Sequence, residues 1–173
     1  MAQINVNRVT NANVYLDGGS CLGKAEEIDL PKIVSKMTEH KALGMMGALE
    51  LPSGFEKLEA RIKWNAVYAD VMAKMGNPYD VHAFQCRGNI ENYTANGRTG
   101  QESYVCFFRG QFKELPMGNF KQHDNVEMDS RLAVTYAKVE IGGVAVVEFD
   151  ALANIYKVNG VDILLTYRNN IGG

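Results

Sequence analysis

Apolar and polar residues alternate along most of this chain, and no other feature limits its possible folds as strongly. Residues 56–64 show the pattern best, because every second side chain there is apolar. In a β-strand, side chains that recur every second residue lie on the same face. Two further alternating segments, residues 130–141 and 144–150, flank Gly142-Gly143, a pair suited to a two-residue hairpin turn. The pattern predicts a mainly β domain built from hairpins.

A second hairpin is predicted from residues 81–90 and 101–113, which flank a loop containing Asn96-Gly97. If this loop has three residues and is centred on Asn96, Cys86 and Cys106 fall directly opposite each other at core-facing positions. They are then either two buried thiols or a cross-strand disulfide. Buried thiols are favoured, because a disulfide between opposed strands is geometrically demanding.

One segment has a helical repeat instead. Apolar residues recur at helical spacing over residues 66–75, which predicts one short α-helix. Asn65 is a suitable N-cap, Gly76 favours an end to the helix, and Pro78 prevents its continuation.

Residues 36–54 follow neither repeat. They contain apolar side chains and four glycines or prolines, but no regular period. A long irregular segment inside a compact domain is uncommon and is usually functional. Exposed apolar residues there would mark a protein–protein contact. The alternative is a plain surface loop packed on its own domain.

The composition is that of one globular domain spanning residues 1–173, with 46% hydrophobic and 22% charged residues. A formal net charge of −2 argues against a dedicated nucleic-acid-binding protein. The sequence has neither a secretory signal nor an apolar run long enough for a membrane anchor, so synthesis in a cytoplasm and reduced thiols are expected.

The sequence offers no catalytic constellation, and we expect neither an enzyme nor a cofactor. His40, His82 and His123 are scattered and lack metal-ligand spacing to each other or to a cysteine. A β-sandwich that binds a ligand, such as a carbohydrate module, is an alternative. It would require clustered exposed aromatic side chains, whereas Trp64 lies on the apolar face of its strand and the tyrosines are dispersed.

Several motifs in a fixed order resemble a known family. The chain closes with Val158-Asn159-Gly160-Val161-Asp162, followed by Arg168-Asn169-Asn170-Ile171-Gly172. Upstream matches lie at residues 13–18, 30–33, 44–45, 109–114 (with Gly118 and Lys121 following) and 147–150. In this order, the sequence resembles the major tail tube protein of contractile-tailed phages and R-type pyocins. It departs from that pattern at Cys21, at residues 122–125 and at its final Gly172-Gly173.

The resemblance implies a structural subunit with a two-sheet β-sandwich or barrel, one short α-helix and an extended loop at residues 36–54. Proteins of this family form hexameric rings that stack into the inner tube of the tail. The channel surrounds the tape measure protein and conducts DNA at ejection. Further implied partners are the tail sheath protein and the baseplate and tail terminator proteins. The implied location is the virion tail, assembled in the host cytoplasm. The tube protein of type VI secretion systems shares this fold, but the closing motif and residues 109–114 favour the phage type.

The resemblance also implies two assembly segments. Rings stack through the extended loop, with inter-ring contacts expected at Leu43, Met45, Met46, Leu49 and Leu51. The closing segment, Val158, Asn159, Gly160, Val161 and Asp162, is expected to be a strand of the assembling β-structure.

Cys21 is expected to point away from the core. Leu22, Ile28 and Leu30 occupy one face of its predicted strand, and Cys21 occupies the other. On a particle released into oxidising surroundings, we hypothesise an intermolecular disulfide from Cys21 to a neighbouring subunit or to the sheath. An unpaired surface thiol is the alternative.

Overall fold

A computed structural model of the chain describes residues 4–172, and over this range the protein is built mainly from antiparallel strands. In chain order the elements are β1 (Val6–Leu16), β2 (Gly19–Ser20), β3 (Ala25–Asp29), β4 (Ser35–His40), β5 (Leu49–Phe55), β6 (Leu58–Trp64), α1 (Ala69–Met75), β7 (His82–Thr94), β8 (Gly97–Phe112), β9 (Met128–Ile141), β10 (Val144–Asp150), β11 (Ile155–Val158), β12 (Val161–Asp162) and α2 (Leu165–Ile171). The prediction of a mainly β fold is confirmed.

Ten of these strands form one continuous sheet; eight of them follow the order β12-β11-β10-β9-β8-β7-β1-β2, and β3 and β6 lie off this path. One edge of β9 is shared by two strands. Its residues 128–134 pair with β6, and its residues 136–141 pair with β10. Strand β3 lies on the other side of β6. The sheet stays open and does not close into a barrel. Strands β4 and β5 form a separate two-stranded sheet.

The core lies against one face of the main sheet and is centred on the alternating residues of β6. Leu58, Ala60, Ile62 and Trp64 are all buried, as the repeat of two predicts. The Trp64 Nε1–H donates to the hydroxyl oxygen of Ser130 at 2.9 Å, and this hydroxyl donates to the Ile62 carbonyl at 3.2 Å. The single polar group of this indole, its N–H, therefore has a hydrogen-bond acceptor inside the core.

The hairpin turns agree with the sequence, with one local difference. Gly142 and Gly143 have φ values of 57° and 80°, as a turn with two left-handed residues requires. The β7–β8 turn has two residues, since Thr94 pairs with Gly97, and is therefore shorter than predicted. A bulge at Asn92/Tyr93 restores the register, so Cys86 still pairs with Cys106.

The predicted helix is shorter than expected and is joined by a second one. Helix α1 begins at Ala69 with Tyr68 as its N-cap, and it ends at Gly76 as predicted. Asn65 does not cap it, because its side-chain amide donates to the Gly23 carbonyl at 2.6 Å and thereby holds a loop. Helix α2 was not predicted. Of the helices in residues 4–172, none is long and apolar enough to cross a membrane.

Candidate functional site

Residues 36–54 form most of a β-hairpin, here called the arm, made of β4, β5 and the tip at residues 41–48. The prediction of an irregular segment was wrong. Apolar and polar residues alternate in a strand when one of its faces is buried. Both arm strands are exposed over almost their whole length, so their residues do not alternate in this way. Pro52 and a bulge between Ser35 and Met37 interrupt it further.

All five residues predicted to make inter-ring contacts lie on the arm and are exposed to solvent. Leu43 and Met46 at the tip are fully exposed, with fractional exposures of 105% and 104%. Met45 is exposed beside them, and Leu49 and Leu51 lie together on one face of β5. The arm therefore presents apolar side chains that nothing in its own domain covers.

The arm is poorly stabilised by its own residues. A two-stranded hairpin is at best marginally stable in water. Here Glu39 and Glu50 are direct cross-strand partners, and like charges in that arrangement are destabilising. Lys41 offsets this in part through an exposed ion pair with Glu39 at 2.8 Å. These features are typical of an element that gains its remaining stability from a partner.

The base of the arm is fixed to the main domain by aromatic packing. The Phe55 ring contacts Phe149 and Tyr156 edge-on, at centroid distances of 5.1 and 4.9 Å. Next to it, Gly54 has a φ of 115°, a conformation that side-chain-bearing residues rarely adopt. This glycine lies in the bulge at the base of the arm, and bulges of this kind bend the strand that contains them.

A groove of about 480 Å³ runs between the base of the arm and helix α2. Its apolar lining comes from three parts of the chain, represented by Phe55, Phe149 and Tyr167. Asp150 and Asn154 supply polar groups on its wall. We refer to it below as the α2 groove.

The closing motif does not form one strand, which corrects the prediction for Val158, Asn159, Gly160, Val161 and Asp162. Asn159 and Gly160 are both left-handed, with φ values of 48° and 82°, and they turn β11 into the two-residue strand β12. The motif is a tight hairpin at the edge of the main sheet.

The two halves of the closing motif bind each other. The Arg168 guanidinium donates to the Asp162 carboxylate at 2.6 Å and to the Asn154 carbonyl at 2.7 Å. The hydrogen bond from Arg168 lowers the pKa of Asp162. This pair holds α2 against the hairpin, while Leu165, Tyr167 and Ile171 of the helix remain exposed.

Six charged side chains form a row: five lie on the face of the sheet that is opposite the core, and the sixth, Arg168, lies on α2. Neighbours in this charge row have opposite signs, and three contacts are close: Glu140–Lys138 at 2.6 Å, Glu148–Lys157 at 3.2 Å and Asp162–Arg168 at 2.6 Å. The three pairs are joined because Lys138 is the cross-strand partner of Glu148, and Lys157 is that of Asp162. The row is electrically neutral as a whole.

The three cysteines are all free and buried. Cys86 and Cys106 are direct cross-strand partners, and burial raises their thiol pKa values to about 12 and about 11. The prediction that Cys21 points outwards was wrong: Cys21 is 6% exposed and Leu22 is 76% exposed. The strand assumed there is interrupted by a turn, in which the Lys24 amide donates to the Cys21 carbonyl at 2.9 Å. The exposed thiol required for an intermolecular disulfide is therefore missing.

Asp17, in the motif at residues 13–18, joins three elements. Its carboxylate accepts hydrogen bonds from the Ala83 amide and His82 Nδ1, both at 2.9 Å, and from the Lys74 ammonium. Burial acts to raise the pKa of this carboxyl, but these hydrogen bonds outweigh it and lower the pKa to about 2. His82 is buried and also contacts the Lys74 carbonyl, so the sequence motif serves folding here.

Within residues 4–172, no group of three or more His, Cys, Asp and Glu side chains is arranged to hold a metal ion. Trp64 is fully buried, so it cannot act as an exposed aromatic platform for a ligand. Among the described residues, the most prominent surfaces are the arm, the α2 groove and the charge row.

Comparisons with known proteins find relatives over most of the chain. The family model for phage tail tube protein FII matches residues 6–172. The chain is 29% identical over 166 residues to the tail tube protein of Escherichia phage P2, covering 92% of this chain and 94% of that protein. It is 28% identical over 152 residues to the major tail tube protein of Serratia phage KSP20, covering 87% of this chain and 86% of that protein.

Proposed function

This chain belongs to the phage tail tube protein FII family, a family of structural proteins of the virion tail, and from that premise we propose that it forms hexameric rings that stack into the inner tube of a contractile tail. The observation that supports stacking is the arm. It extends from the domain, carries fully exposed apolar side chains at its tip, and has both strands exposed over almost their whole length.

Ring formation is supported by the open edges of the main sheet. The outer edge of β1 is paired only at Tyr15 and Leu16, where β2 lies beside it. At the other end, β12 has only two residues. Unpaired edges invite association, and a closed ring gives each edge a defined neighbour.

The charge row is the candidate wall of the channel. Phosphates bind to unopposed lysine and arginine side chains, and their release depends on salt. Here each basic group of the row has an acidic neighbour, so the row itself offers no unopposed basic group to passing DNA. With a net charge of −2 per chain, a ring of six carries about 12 negative charges, which also disfavours retention of DNA.

In this proposal the outside of the tube contacts the sheath protein, and the channel holds the tape measure protein. The ends of the tube contact the baseplate and tail terminator proteins. Assembly takes place in the host cytoplasm. The function therefore depends on copies of the chain contacting each other, with no chemical step.

The test of stacking is removal of the arm. Ser35 and Phe55 are direct cross-strand partners, so residues 36–54 can be replaced by an Asn-Gly turn without moving either end. We expect the purified wild-type chain to form long hollow tubes under negative-stain electron microscopy. The shortened chain should keep the β-rich circular dichroism spectrum and cooperative unfolding but form at most single rings. Long tubes from the shortened chain would contradict the role of the arm, and a wild-type monomer stabilised by a small ligand would contradict the function.

The test of the channel wall is removal of acidic groups from the row. Glu140→Gln combined with Glu148→Gln leaves Lys138 and Lys157 without these partners. Tubes of this variant should retain a fluorescent single-stranded oligonucleotide at low salt. The control, Glu26→Gln combined with Glu27→Gln on exposed β3, changes the net charge equally. Equal retention by the two variants would show that the row does not face the channel.

A further inference from the structure

The fully exposed arm tip and the α2 groove both present apolar side chains, although they belong to different parts of the chain. Leu43 lies in, and Met46 directly follows, a tight turn in which the Met45 amide donates to the Ala42 carbonyl at 3.2 Å. Two apolar side chains thereby project from one short turn. The groove presents an apolar floor at Phe149 and an apolar wall at Tyr167.

We propose that the α2 groove receives the arm tip of a second copy of this chain in the adjacent ring. This inference rests on the proposed function, since it identifies the receiving surface for the arm in a stacked tube. It assigns a binding role to α2 and to the groove residues Phe149 and Tyr167, for which the sequence predicted no contact.

The tip cannot reach the groove of its own chain. The groove lies at the base of the arm, beside Phe55, and β5 runs from Leu49, next to the tip, to Phe55. At 3.3 Å per residue the six steps along this strand span about 20 Å. The tip and the groove are thus at opposite ends of one hairpin, and docking must join two copies.

The direction of this contact explains continued growth. A contact between two different surfaces of the same protein is heterologous, and it leaves a free tip on one copy and a free groove on the other. Each added ring therefore presents the same unused surfaces as the last. A contact between two identical surfaces would instead end growth at a pair.

Charged groups at the edges of the two surfaces have opposite signs. Lys41, the first residue of the tip, has a side chain that is 70% exposed. Asp150 lies in the wall of the groove, where one of its carboxylate oxygens accepts the amides of Leu152 and Ala153 at 3.0 and 3.1 Å. An apolar centre with opposite charges at its edge is the usual arrangement of a protein interface.

The experiment is cysteine cross-linking of assembled tubes, and the native thiols do not interfere because all three are buried. Leu43→Cys and Tyr167→Cys are made singly and together, and tubes are oxidised before non-reducing electrophoresis. The double variant should give a ladder that continues beyond the number of subunits in a ring. Each single variant should remain monomeric, and a mixture of the two singles should give dimers only.

The other outcomes overturn the inference. Dimers from either single variant would show contact between identical surfaces, and a ladder that stops at the ring size would place the contact within one ring. Tubes of the double variant without cross-links would show that the tip binds elsewhere, while the proposed function stands. Failure of the wild-type chain to form tubes refutes the proposed function itself.

A second measurement covers the case in which the cysteine variants do not assemble. Tyr167→Asp should raise the protein concentration required for tube formation at least tenfold. Tyr79→Asp is the matched control, because Tyr79 is 85% exposed and lies outside the groove. Equal effects of the two substitutions, or no effect of either, would refute the groove as the receiving surface.

Discussion

Replacing Asp17 by asparagine should destabilise the domain at neutral pH but not in acid. Asparagine has the same shape and also tolerates the left-handed conformation that position 17 adopts, with a φ of 50°. The hairpin turn is therefore kept. What is lost is the negative charge that accepts hydrogen bonds from Lys74, His82 and the Ala83 amide.

The expected loss follows from the pKa. The carboxyl has an ordinary pKa of 3.8 and a pKa of about 2 in the folded chain. At 1.36 kcal/mol per pKa unit, this difference corresponds to about 2.4 kcal/mol. The Asp17 side chain is 32% exposed, so solvent screening lowers the expected value to about 1–2 kcal/mol.

The pH dependence has a definite sign. Because folding lowers the pKa of Asp17, its contribution is fully present above pH 3.8 and disappears as the pH falls through about 2. Urea unfolding at neutral pH should show the variant less stable by about 1–2 kcal/mol, a midpoint shift of about 0.5–1 M. The two unfolding curves should approach each other towards about pH 2.

The control is Asp80→Asn, which changes the net charge equally at an exposed loop residue and should have little effect. A difference between wild type and Asp17→Asn that is the same at low and neutral pH would refute the reasoning. The loss would then come from altered packing or turn geometry and not from the carboxylate charge.

Three further predictions concern the core, the arm and the thiols. Ser130→Ala should cost about 1–3 kcal/mol in urea unfolding, because it leaves the Trp64 indole N–H buried without an acceptor; an unchanged midpoint would contradict this. Gly54→Ala introduces backbone strain of about 1–2 kcal/mol at a φ of 115° where space is open, so it should impair tube formation with no change in domain melting temperature. Gly47→Ala, with open space and no left-handed φ, is its control, and equal tube yields from both variants would show that the backbone conformation of Gly54 does not matter for stacking. A thiol reagent should label no cysteine in the native chain and three after denaturation; rapid native labelling would show that a thiol is accessible.

The sequence predicts the fold best where one face of a strand is buried. Strand β6 alternates because Trp64 and its neighbours meet the core, and the pattern shows this directly. The arm lacks a buried face, so its strands leave no such signal. Yet the same exposed apolar residues indicated a contact surface, and Leu43 and Met46 are fully exposed on it.

Other features depend on contacts between residues far apart in the chain. Asp17 meets His82 across 65 positions, and no local pattern indicates that meeting. Cys21 was assigned to the wrong face because a turn resets the alternation between it and Ile28. Arg168 pairs with Asp162 at a separation of six, which matches neither a helix nor a strand repeat, although both residues stood in the closing motif.

The charge row has a consequence for natural variation among related proteins. The charge of each inner residue is constrained by its neighbours, because every inner residue lies between two residues of the opposite sign. Reversing one inner residue creates two repulsive contacts, whereas reversing all six members restores every attraction with the signs exchanged. Substitutions here should therefore occur as coordinated exchanges, or as neutral replacements of complete pairs. Charge reversal of one inner residue at a time would therefore show a loss at each inner position, although the row as a unit is free to change.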